Sequence, residues 1–497
     1  MGGKARCFCS IFILWIAIFL SCEREQPSEH SLTILLPDDI LSIDPNSEFE
    51  AVTDSVLFNV YQPLVELDKD LNLHPVLAES WENPRPNEWR FHLRQNVRFH
   101  DGSYLTPQTV KQALDNVMKS ANLDTASFLS AIQEIKPLDD STISIVTKKP
   151  CAILSRLPFI YIWKSNTQKM FPPIVGTGPY RLFNWHRGQS ISLMRWNGYW
   201  ERQPSFQRVT FFPVADAGER VDRLKRGTAD IAYSVPAGSI TQLPDVHFTR
   251  RPGLTVYYLG FDLTPSPDNP FAEPRVRKAI HMALNRETIV RSVLHGFGTV
   301  PTQPVAPFVF GYNPSLPKPS LDIGSAKNLL AEAGYSDGFH ARLDLGTSRM
   351  AAAKIVQQDL EKIGIETDLN GLSLNDVYTL AESGKSRFFL IGWDCTSGDA
   401  SEFYEYCAHS RSENYGRGNY GHYSNPALDR LIEASGGITD ENERKFMLQE
   451  QAKIVMQDLP IIPVYIEDDI YGVRNSIQFE PRADSEIKIM DVNIVKK

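Results

Sequence analysis

The amino-acid sequence predicts a mixed α/β protein whose helices and strands are joined by short connections. Stretches of alternating apolar and polar residues, typical of strands, are interspersed with stretches in which apolar residues recur at helical spacing. In the second half, two predicted helices are each followed at once by a predicted strand, as in α/β units. The length of 497 residues allows roughly two to four domains and a large core.

The first clear elements lie before residue 120. Residues 89–93 alternate as a half-buried strand does, and Asp101-Gly102 provides a turn. Thr106 followed by Pro107 predicts a helix start, because a threonine hydroxyl caps free N–H groups and proline suits the first helical position. The apolar residues that follow share one helical face: Val110, Ala113, Leu114, Val117 and Met118.

The second half of the chain repeats these signals. Gly334 and Gly364 each follow an apolar helical pattern, and glycine readily adopts the left-handed backbone that ends a helix. Asn425-Pro426 starts another helix, and Asp440 with Glu443 resembles a capping box. These patterns predict helices over 323–333, 352–363, 426–432 and 441–458, and strands over 365–369 and 461–466.

The N-terminus predicts an exported protein. Two basic residues precede an uncharged apolar run over 7–20, which is shorter than the ~20 residues needed to span a bilayer. The run is typical of a secretory signal peptide over 1–21, followed by a polar tether over 22–30. Phe19-Leu20-Ser21-Cys22 resembles a lipobox, so Cys22 is predicted to carry a lipid; an ordinary cleavage site is the alternative.

Charge and hydropathy narrow the class of partner. The net charge is −9 and no dense cluster of Lys and Arg occurs, which argues against a nucleic-acid partner. After residue 20, no apolar stretch is long enough to cross a membrane. The predicted mature chain is therefore a water-soluble body attached to a membrane at its first residue.

Three cysteines remain in the predicted mature chain: Cys151, Cys395 and Cys407. An exported protein can join two of them. Cys395 and Cys407 are close in sequence and are the predicted disulfide; three free thiols are the alternative.

Catalytic and metal-binding motifs are missing from the sequence. It contains no G-x-S-x-G, H-E-x-x-H or C-x-x-C, and its histidines are scattered. Residues 416–421 match G-x-G-x-x-G in letters, but a polar run precedes them and the next helix starts only after Asn425. They therefore predict a loop and not a nucleotide site. No enzyme activity, metal or cofactor is predicted.

Aromatic residues are concentrated over 393–423, between Gly, Ser, Asn and Asp residues. This composition suits a ligand-facing region with aromatic walls and a few polar contacts; ordinary core packing is the alternative. The aromatic residues are Trp393, Phe403, Tyr404, Tyr406, Tyr415, Tyr420 and Tyr423.

Short segments in a fixed order along residues 32–470 carry a family resemblance. They are Ile43–Pro45, Tyr61–Val65, Pro75–Trp81, Trp89–Gly102, Leu105–Val110, Gly176–Tyr180, Trp196–Trp200, Val276–Ile280, Ala283–Glu287, Gly392-Trp393, Tyr423–Leu431 and Asp458–Pro463. Together they resemble the dipeptide- and oligopeptide-binding proteins of bacterial ABC importers, the extracellular solute-binding family 5. Many members of this family are lipoproteins, as the lipobox over 19–22 predicts here.

The resemblance implies a periplasmic-binding-protein fold of type II, with two lobes, a hinge and three domains. Domain I would combine three pieces of chain, and the two crossings between the lobes would form the hinge. The implied division is domain I over 31–55, 174–257 and 473–497, domain II over 56–173, and domain III over 258–472.

The resemblance also implies ligand-binding residues. Family members often pair an aspartate, three residues after the tryptophan of the Gly-Trp segment, with a peptide amino terminus. Here that position is Thr396, which carries no charge, and Asp394 and Asp399 on either side are the predicted substitutes. The other implied contacts are Trp393 at the cleft wall, Asn419 in its loop, Tyr257 or Tyr258 at the hinge edge, with Tyr258 preferred, and Phe49 on a loop of domain I.

The implied function is ligand capture for import. The chain would be a monomeric lipoprotein in the periplasm or at the cell surface, delivering free or cell-wall-derived peptides to an ABC permease in the inner membrane. The alternative functions are a sensing receptor on the same fold and a hydrolase. The alternative ligands are non-peptide solutes: haem, a nickel complex, a sugar or an opine.

Overall fold

The computed structural model describes residues 31–47, 51–120, 128–165, 174–239 and 243–495. The predicted signal peptide, tether and lipidated Cys22, and the predicted contact Phe49, lie outside these residues. Within the described ranges, no helix is both long enough and apolar enough to cross a membrane.

The first part of the chain builds a four-stranded antiparallel sheet with a capped helix beside it. The sheet has the strand order β5-β6-β8-β7, and helix α2 contacts β7 and β8. The elements are β1 Ser31–Leu36, α1 Ala51–Leu57, β2 Gln62–Pro63, β3 Val65–Leu67, β4 Leu73–Pro75, β5 Ala78–Arg85, β6 Glu88–Leu93, α2 Pro107–Lys119, β7 Ile132–Pro137, β8 Thr142–Thr147, β9 Tyr161–Ile162, β10 Lys164–Ser165 and β11 Ile174–Val175.

The next part returns to β1 and extends it into a second sheet. Strand β14 pairs in parallel with β1, and β15 pairs with its other edge. The elements are β12 Tyr180–His186, β13 Ser190–Arg195, β14 Arg208–Pro213, α3 Ala217–Lys225, β15 Ile231–Ala232 and β16 Val246–Phe261.

The third part packs helices against a mostly parallel group of strands. Strand β18 pairs in parallel with both β19 and β20. The elements are α4 Pro274–Ala283, α5 Arg286–Ser292, β17 Gly298–Thr299, α6 Ile323–Glu332, β18 Phe339–Gly346, α7 Met350–Glu361, β19 Ile365–Leu372, α8 Leu374–Glu382, β20 Phe388–Asp394, α9 Ser401–Phe403, α10 Pro426–Ser435 and α11 Glu441–Asp458.

The last part returns to the second sheet, with β21 Ile461–Arg474, β22 Ile477–Gln478 and β23 Asn493–Ile494. Short turns of 3-10 or π helix occur at Ile153–Ser155, Leu157–Phe159, Ala237–Ser239, Pro270–Ala272, Thr347–Arg349, Tyr404–Ala408 and Ile489–Asp491.

Two long antiparallel strands, β16 and β21, join two groups of strands into one large sheet. The first group is β12, β13, β14, β1 and β15, and the second is β20, β18 and β19. The order is β12-β13-β14-β1-β15-β21-β16-β20-β18-β19, with β17 on β21. The pairing of β16 with β21 shifts register between Pro252 and Val256 of β16, opposite Ile466–Asp468 of β21. Each group of strands has its own apolar core. The core of the first group is built mainly from residues 32–61, 180–231 and 471–492, and the core of the second from residues 259–465. A third core, over 64–175, packs against the four-stranded sheet.

The structure confirms the predicted elements and extends some of them. Thr106 accepts a hydrogen bond from the Thr109 N–H at 3.2 Å and starts α2, but Met118, predicted on the buried face, is 37% exposed. Gly334 and Gly364 have φ of +90° and +88° just beyond their helices. The strand predicted over 461–466 continues to Arg474, because it crosses from one group of strands to the other.

Candidate functional site

The candidate site is a cavity of about 920 Å³ beside the two crossing strands. Its wall combines Ala51 and Asp54 of α1 and Tyr233 after β15 from one side with Val293 and Arg349 from the other. Cavities of this size hold small organic ligands in other proteins. The site therefore lies where the two groups of strands meet.

Strand register explains which side chains of β16 and β20 line the floor of the cavity, the part formed by the large sheet. Thr255 of β16 lies opposite Asp394 of β20, and directly paired residues point to the same face of a sheet. Tyr257, two positions further, shares that face and stacks on Tyr465 at 4.7 Å between ring centroids. The guanidinium of Arg349 lies 4.1 Å from the Tyr257 ring centroid, so the floor offers an aromatic and cationic surface.

Carboxylates dominate the polar lining of the cavity. Seven acidic side chains reach it: Asp54, Asp394, Glu467, Asp468, Asp469, Asp484 and Glu486. Three of them form ion pairs with arginine, as Glu467 does with Arg349 at 2.7 Å, Asp468 with Arg250 at 2.7 Å and Asp484 with Arg482 at 2.5 Å.

Asp394 and Asp469 form the charged centre of the site. Asp394 lines the cavity, and desolvation there raises its pKa, against a hydrogen bond from Thr255 and the charge of Arg349, which both lower it. Burial also raises the pKa of Asp469 to about 6, with the Asp394 charge adding to it. Tyr233 and Ser485 donate hydrogen bonds to Asp469 at 3.2 and 2.6 Å, which oppose the shift.

Glu486 provides a second carboxylate site in the cavity. Burial raises its pKa well above the usual range, and the charges of Asp484 and Asp54 act in the same direction. Its carboxylate forms no hydrogen bond or ion pair with any side chain in the described ranges. A positive group entering the cavity would therefore meet two carboxylate sites, one at Asp394 and Asp469 and one at Glu486.

Gly253 lets the crossing strands come close beside this site. A Cβ atom at this position would lie 2.8 Å from the carbonyl oxygen of Glu467 and 3.2 Å from an oxygen of Asp469. Only glycine fits without moving the backbone of β21, and the shift in register lies at the same place.

The predicted contacts divide between the cavity and the core. Asp394 and Thr396 line the cavity, and Thr396 donates a hydrogen bond to Glu402 at 3.3 Å. Tyr257 lines it, whereas Tyr258, the preferred prediction, points to the opposite face, where it is 3% exposed. The alternation of side chains along β16 explains the difference.

Trp393 and Asn419 are not among the residues that line the cavity in the described part of the chain. The Trp393 ring stacks on Tyr406 at 4.9 Å, because Trp393 points away from its neighbour Asp394. Asn419 donates to the carbonyls of His409 and Tyr423 at 2.9 and 2.7 Å and thereby holds its own loop together. The other aromatic residues of 393–423 do not line the cavity in the described part of the chain either, in agreement with the alternative that they pack in the core.

Asp399 is held by an ion pair outside the cavity wall. Its carboxylate accepts hydrogen bonds from both terminal nitrogens of Arg444, and both side chains are less than one-tenth exposed. Burial alone would raise the pKa of Asp399, but the Arg444 charge and hydrogen bonds lower it overall. Of the two predicted substitutes for the missing aspartate, Asp394 alone faces the cavity.

The predicted disulfide between Cys395 and Cys407 is wrong for this structure. Both are buried free thiols, and Cys151 is free as well. The Cys395 thiol donates to the Asp399 carbonyl oxygen at 3.1 Å, whereas Cys407 lies on a separate turn of π helix. The two thiols are therefore unbonded although they are close in sequence.

Sequence reasoning missed most of the acidic wall. Asp469, Glu486 and Tyr233 were not among the predicted contacts, although Glu467-Asp468-Asp469 is a run of three acidic residues directly after the strand predicted over 461–466, and the structure includes it in β21. Such a run is unusual in a strand and could have served as a signal. Among the described residues, no group of three or more His, Cys, Asp or Glu side chains could hold a metal ion.

Comparison with known proteins identifies the family. A family model described as bacterial extracellular solute-binding proteins, family 5 Middle, matches residues 72–415. The chain belongs to this family. Family 5 proteins bind solutes outside the cytoplasmic membrane and work with ABC permeases, and the relatives are binding proteins for transport rather than enzymes.

Individual relatives cover nearly the whole chain. The glutathione-binding protein GsiB of Salmonella typhi is 27% identical over 459 residues, which cover 88% of this chain and 89% of the relative. The structure of HbpA2 from Haemophilus parasuis has a TM-score of 0.82 at 25% identity, covering 94% of this chain and 100% of that one. DppA from Helicobacter pylori, in complex with the peptide STSA, has a TM-score of 0.76 at 22% identity over 94% and 98% of the chains.

These comparisons confirm the predicted fold class. The mixed α/β structure is that of type II periplasmic binding proteins in their large, multi-domain form.

Proposed function

We propose that this chain is an exported lipoprotein that captures peptides in the cavity beside β16 and β21 and delivers them to an ABC permease. The observation that carries the proposal is the cavity of about 920 Å³ with charged and aromatic groups contributed from both sides of the two crossing strands. Because residues from both sides of the crossing strands contact the same cavity, a bound ligand would favour the closed arrangement of the two sides. A delivery protein needs such a difference between its empty and loaded forms.

The arrangement of the chain supports a hinge at the crossing strands. The pairing of β16 and β21 is interrupted at Pro252–Val256, and apart from these strands the two apolar cores are built largely from different segments. We propose the division into domain I (31–55, 174–257, 473–497), domain II (56–173) and domain III (258–472), with bending concentrated at this interruption. Glycine at 253 gives the hinge the close approach that it needs.

The site supports recognition of a peptide backbone. Asp394 would bind the amino terminus, taking over the role that Thr396 cannot fill without a charge. Tyr257 and Arg349 would contact the rest of the ligand, one by its ring and one by its remaining N–H groups. The relative GsiB, named for glutathione, supports a small peptide as the class of ligand.

We further propose that Cys22 carries a lipid and keeps the protein, as a monomer, on a membrane facing the periplasm or the outside of the cell. The support is the N-terminal sequence: an uncharged apolar run over 7–20 followed by Leu20-Ser21-Cys22. Attachment would hold the binding protein close to its permease and raise the chance of their encounter.

The test is native mass spectrometry of the protein purified with its N-terminus at residue 23, before and after unfolding and refolding. Peptide capture predicts a set of bound masses of a few hundred daltons that disappear on unfolding and whose fragments give amino-acid sequences. A single bound species with no peptide bond would replace the peptide by another solute. Conversion of an added peptide to products, lost in a point variant, would contradict a pure binding role.

A further inference from the structure

The charges around the cavity are not balanced by the protein. Asp394, Asp469 and Glu486 line the cavity, and none of them forms an ion pair with a described Lys, Arg or His. Of the two arginines in the lining, Arg349 is already paired with Glu467. The cavity therefore holds three carboxylates without a direct ion pair, although the charges of Arg349 and Arg482 act on Asp394 and Glu486 from a distance.

The second arginine, Arg220, does not supply the missing charge. Its side chain donates hydrogen bonds to the backbone carbonyls of Val214, Ala215 and Ser234, at 2.7, 3.0 and 2.5 Å. Burial lowers its pKa, and no described carboxylate accepts a hydrogen bond from it. Arg220 thus holds together the loop after β14 and leaves the carboxylates unbalanced.

An unsatisfied oxygen points to a ligand independently of the charge count. The Asp468 side chain is 4% exposed and lines the cavity, and its Oδ1 atom has no hydrogen-bond donor among the described residues, although Oδ2 accepts from Arg250. A buried acceptor without a donor is costly, and native proteins keep such groups mainly where a ligand, ion or water completes them. Donors on a bound ligand would complete this one.

The alternative is that these carboxylates only stabilise the fold. Groups that stabilise a fold by charge have a partner in the folded state, as Asp399 has in Arg444. Asp394, Asp469 and Glu486 instead all have raised pKa values, caused first by burial, so their charged forms are less favourable in the empty protein than in water. Asp394 is exposed and Asp469 and Glu486 are half-buried at the cavity, so a positive ligand can reach all three and relieve this cost.

We propose that the ligand is a basic peptide carrying at least two positive groups, with its amino terminus bound between Asp394 and Asp469 and a lysine or arginine side chain bound at Glu486. The proposal rests on the proposed function in that it names the substrate class of the same cavity. A ligand with a net negative charge would meet like charges at both places and is disfavoured.

The experiment compares three peptides of equal length, trilysine, trialanine and triglutamate, by calorimetry at pH 7.5, with spermidine as a basic ligand that has no peptide bond. We expect trilysine to bind at least about 10-fold more tightly than trialanine, as one charge-assisted hydrogen bond provides, and triglutamate to bind most weakly. The preference for trilysine should shrink as salt is added.

Variants of equal size locate the two charge sites. Glu486→Gln should lower the ratio of trilysine to trialanine affinity by about 10-fold, whereas Asp394→Asn should weaken both peptides by about 10- to 100-fold. Because Glu486 is unpaired and its charged form is disfavoured in the folded protein, Glu486→Gln should also keep or raise the melting temperature, which shows that the variant folds. The matched control is Asp337→Asn, which removes one exposed carboxylate outside the cavity wall and should change neither affinity.

Each outcome decides between the two proposals. Equal affinity for trilysine and trialanine, or an unchanged ratio in Glu486→Gln, would overturn the basic-peptide inference and leave peptide capture intact. Binding of spermidine without any tripeptide would overturn peptide capture and, with it, the basic peptide as ligand. Failure of all four ligands to bind would overturn both proposals.

Discussion

The two aspartates that flank Thr396 should respond to mutation in opposite ways, and Asp399 gives the sharper test. Its carboxylate accepts hydrogen bonds from both terminal nitrogens of Arg444 and from the Ser401 N–H at 3.0 Å. Asp399→Asn leaves the arginine charge buried, with one amide oxygen and the Ser401 hydroxyl, 3.0 Å away, as its remaining acceptors. Breaking a buried ion pair costs about 3–5 kcal/mol, and the retained oxygen places the expected loss near 3 kcal/mol.

Chemical denaturation at pH 7 measures this loss from the unfolding transition. The pKa of Asp399 is lowered in the folded protein, so its stabilisation is present above its unfolded pKa and is lost as the pH falls through the folded value. The difference between wild type and variant should therefore shrink below about pH 4. Arg444→Met should cost a similar amount, and the double variant should cost less than the sum of the two single losses.

The exposed Asp337→Asn variant is the control and should stay within about 0.5 kcal/mol of wild type. A loss below about 1 kcal/mol in Asp399→Asn, or a loss that does not depend on pH, would refute the argument that this pair stabilises the fold. Weakened peptide binding at unchanged stability would instead return Asp399 to the ligand site.

Four further predictions follow from the site and its supports. Gly253→Ala should lower the unfolding free energy by about 1–3 kcal/mol through its 2.8 Å approach to a backbone oxygen, whereas an unchanged denaturation midpoint would contradict the close approach. Trp393→Ala should lower stability by on the order of 3 kcal/mol by removing its stack on Tyr406, with calorimetric affinity unchanged; weakened binding at full stability would place it in the site. Affinity for a basic peptide should fall between pH 7 and 5, because Asp469, with its pKa raised to about 6, becomes neutral; a flat profile would exclude it as a ligand contact. Cys22→Ser should move the protein from the membrane fraction to the soluble one, and its retention in the membrane fraction would argue against lipidation.

The pH prediction depends on every group that faces Asp469. These are Asp394 from β20, Asp468 on the same strand, and Tyr233 and Ser485, which donate hydrogen bonds. The raised pKa means that the folded protein binds a proton more tightly than the unfolded chain. The free protein should therefore gain stability from this group as the pH falls from about 6, while a positive ligand loses its partner over the same range.

The crossing strands connect fold and function. They carry Thr255, Tyr257 and Asp469 to the cavity and also form the only strands shared by the two groups of the large sheet, within the residues described. Under the proposed hinge, a ligand that draws the two sides together acts on the same strands that would bend. Binding energy can thus be spent directly on closure.

The sequence by itself determined the local elements and the family. Caps and glycine stops located helix ends such as Thr106, Gly334 and Gly364, because those signals act over a few residues. The order of short segments identified the family without any structure.

Only the tertiary structure decided which residues face the cavity. Strand register turned Tyr257 and Asp394 into the cavity and Tyr258 and Trp393 out of it, since neighbours on a strand point to opposite faces. Asp399 was lost to the site because Arg444, 45 positions away, neutralises it. The acidic wall joins α1, β20, β21 and the C-terminal segment, and the distances between residues so far apart in the chain depend on packing that no local pattern contains.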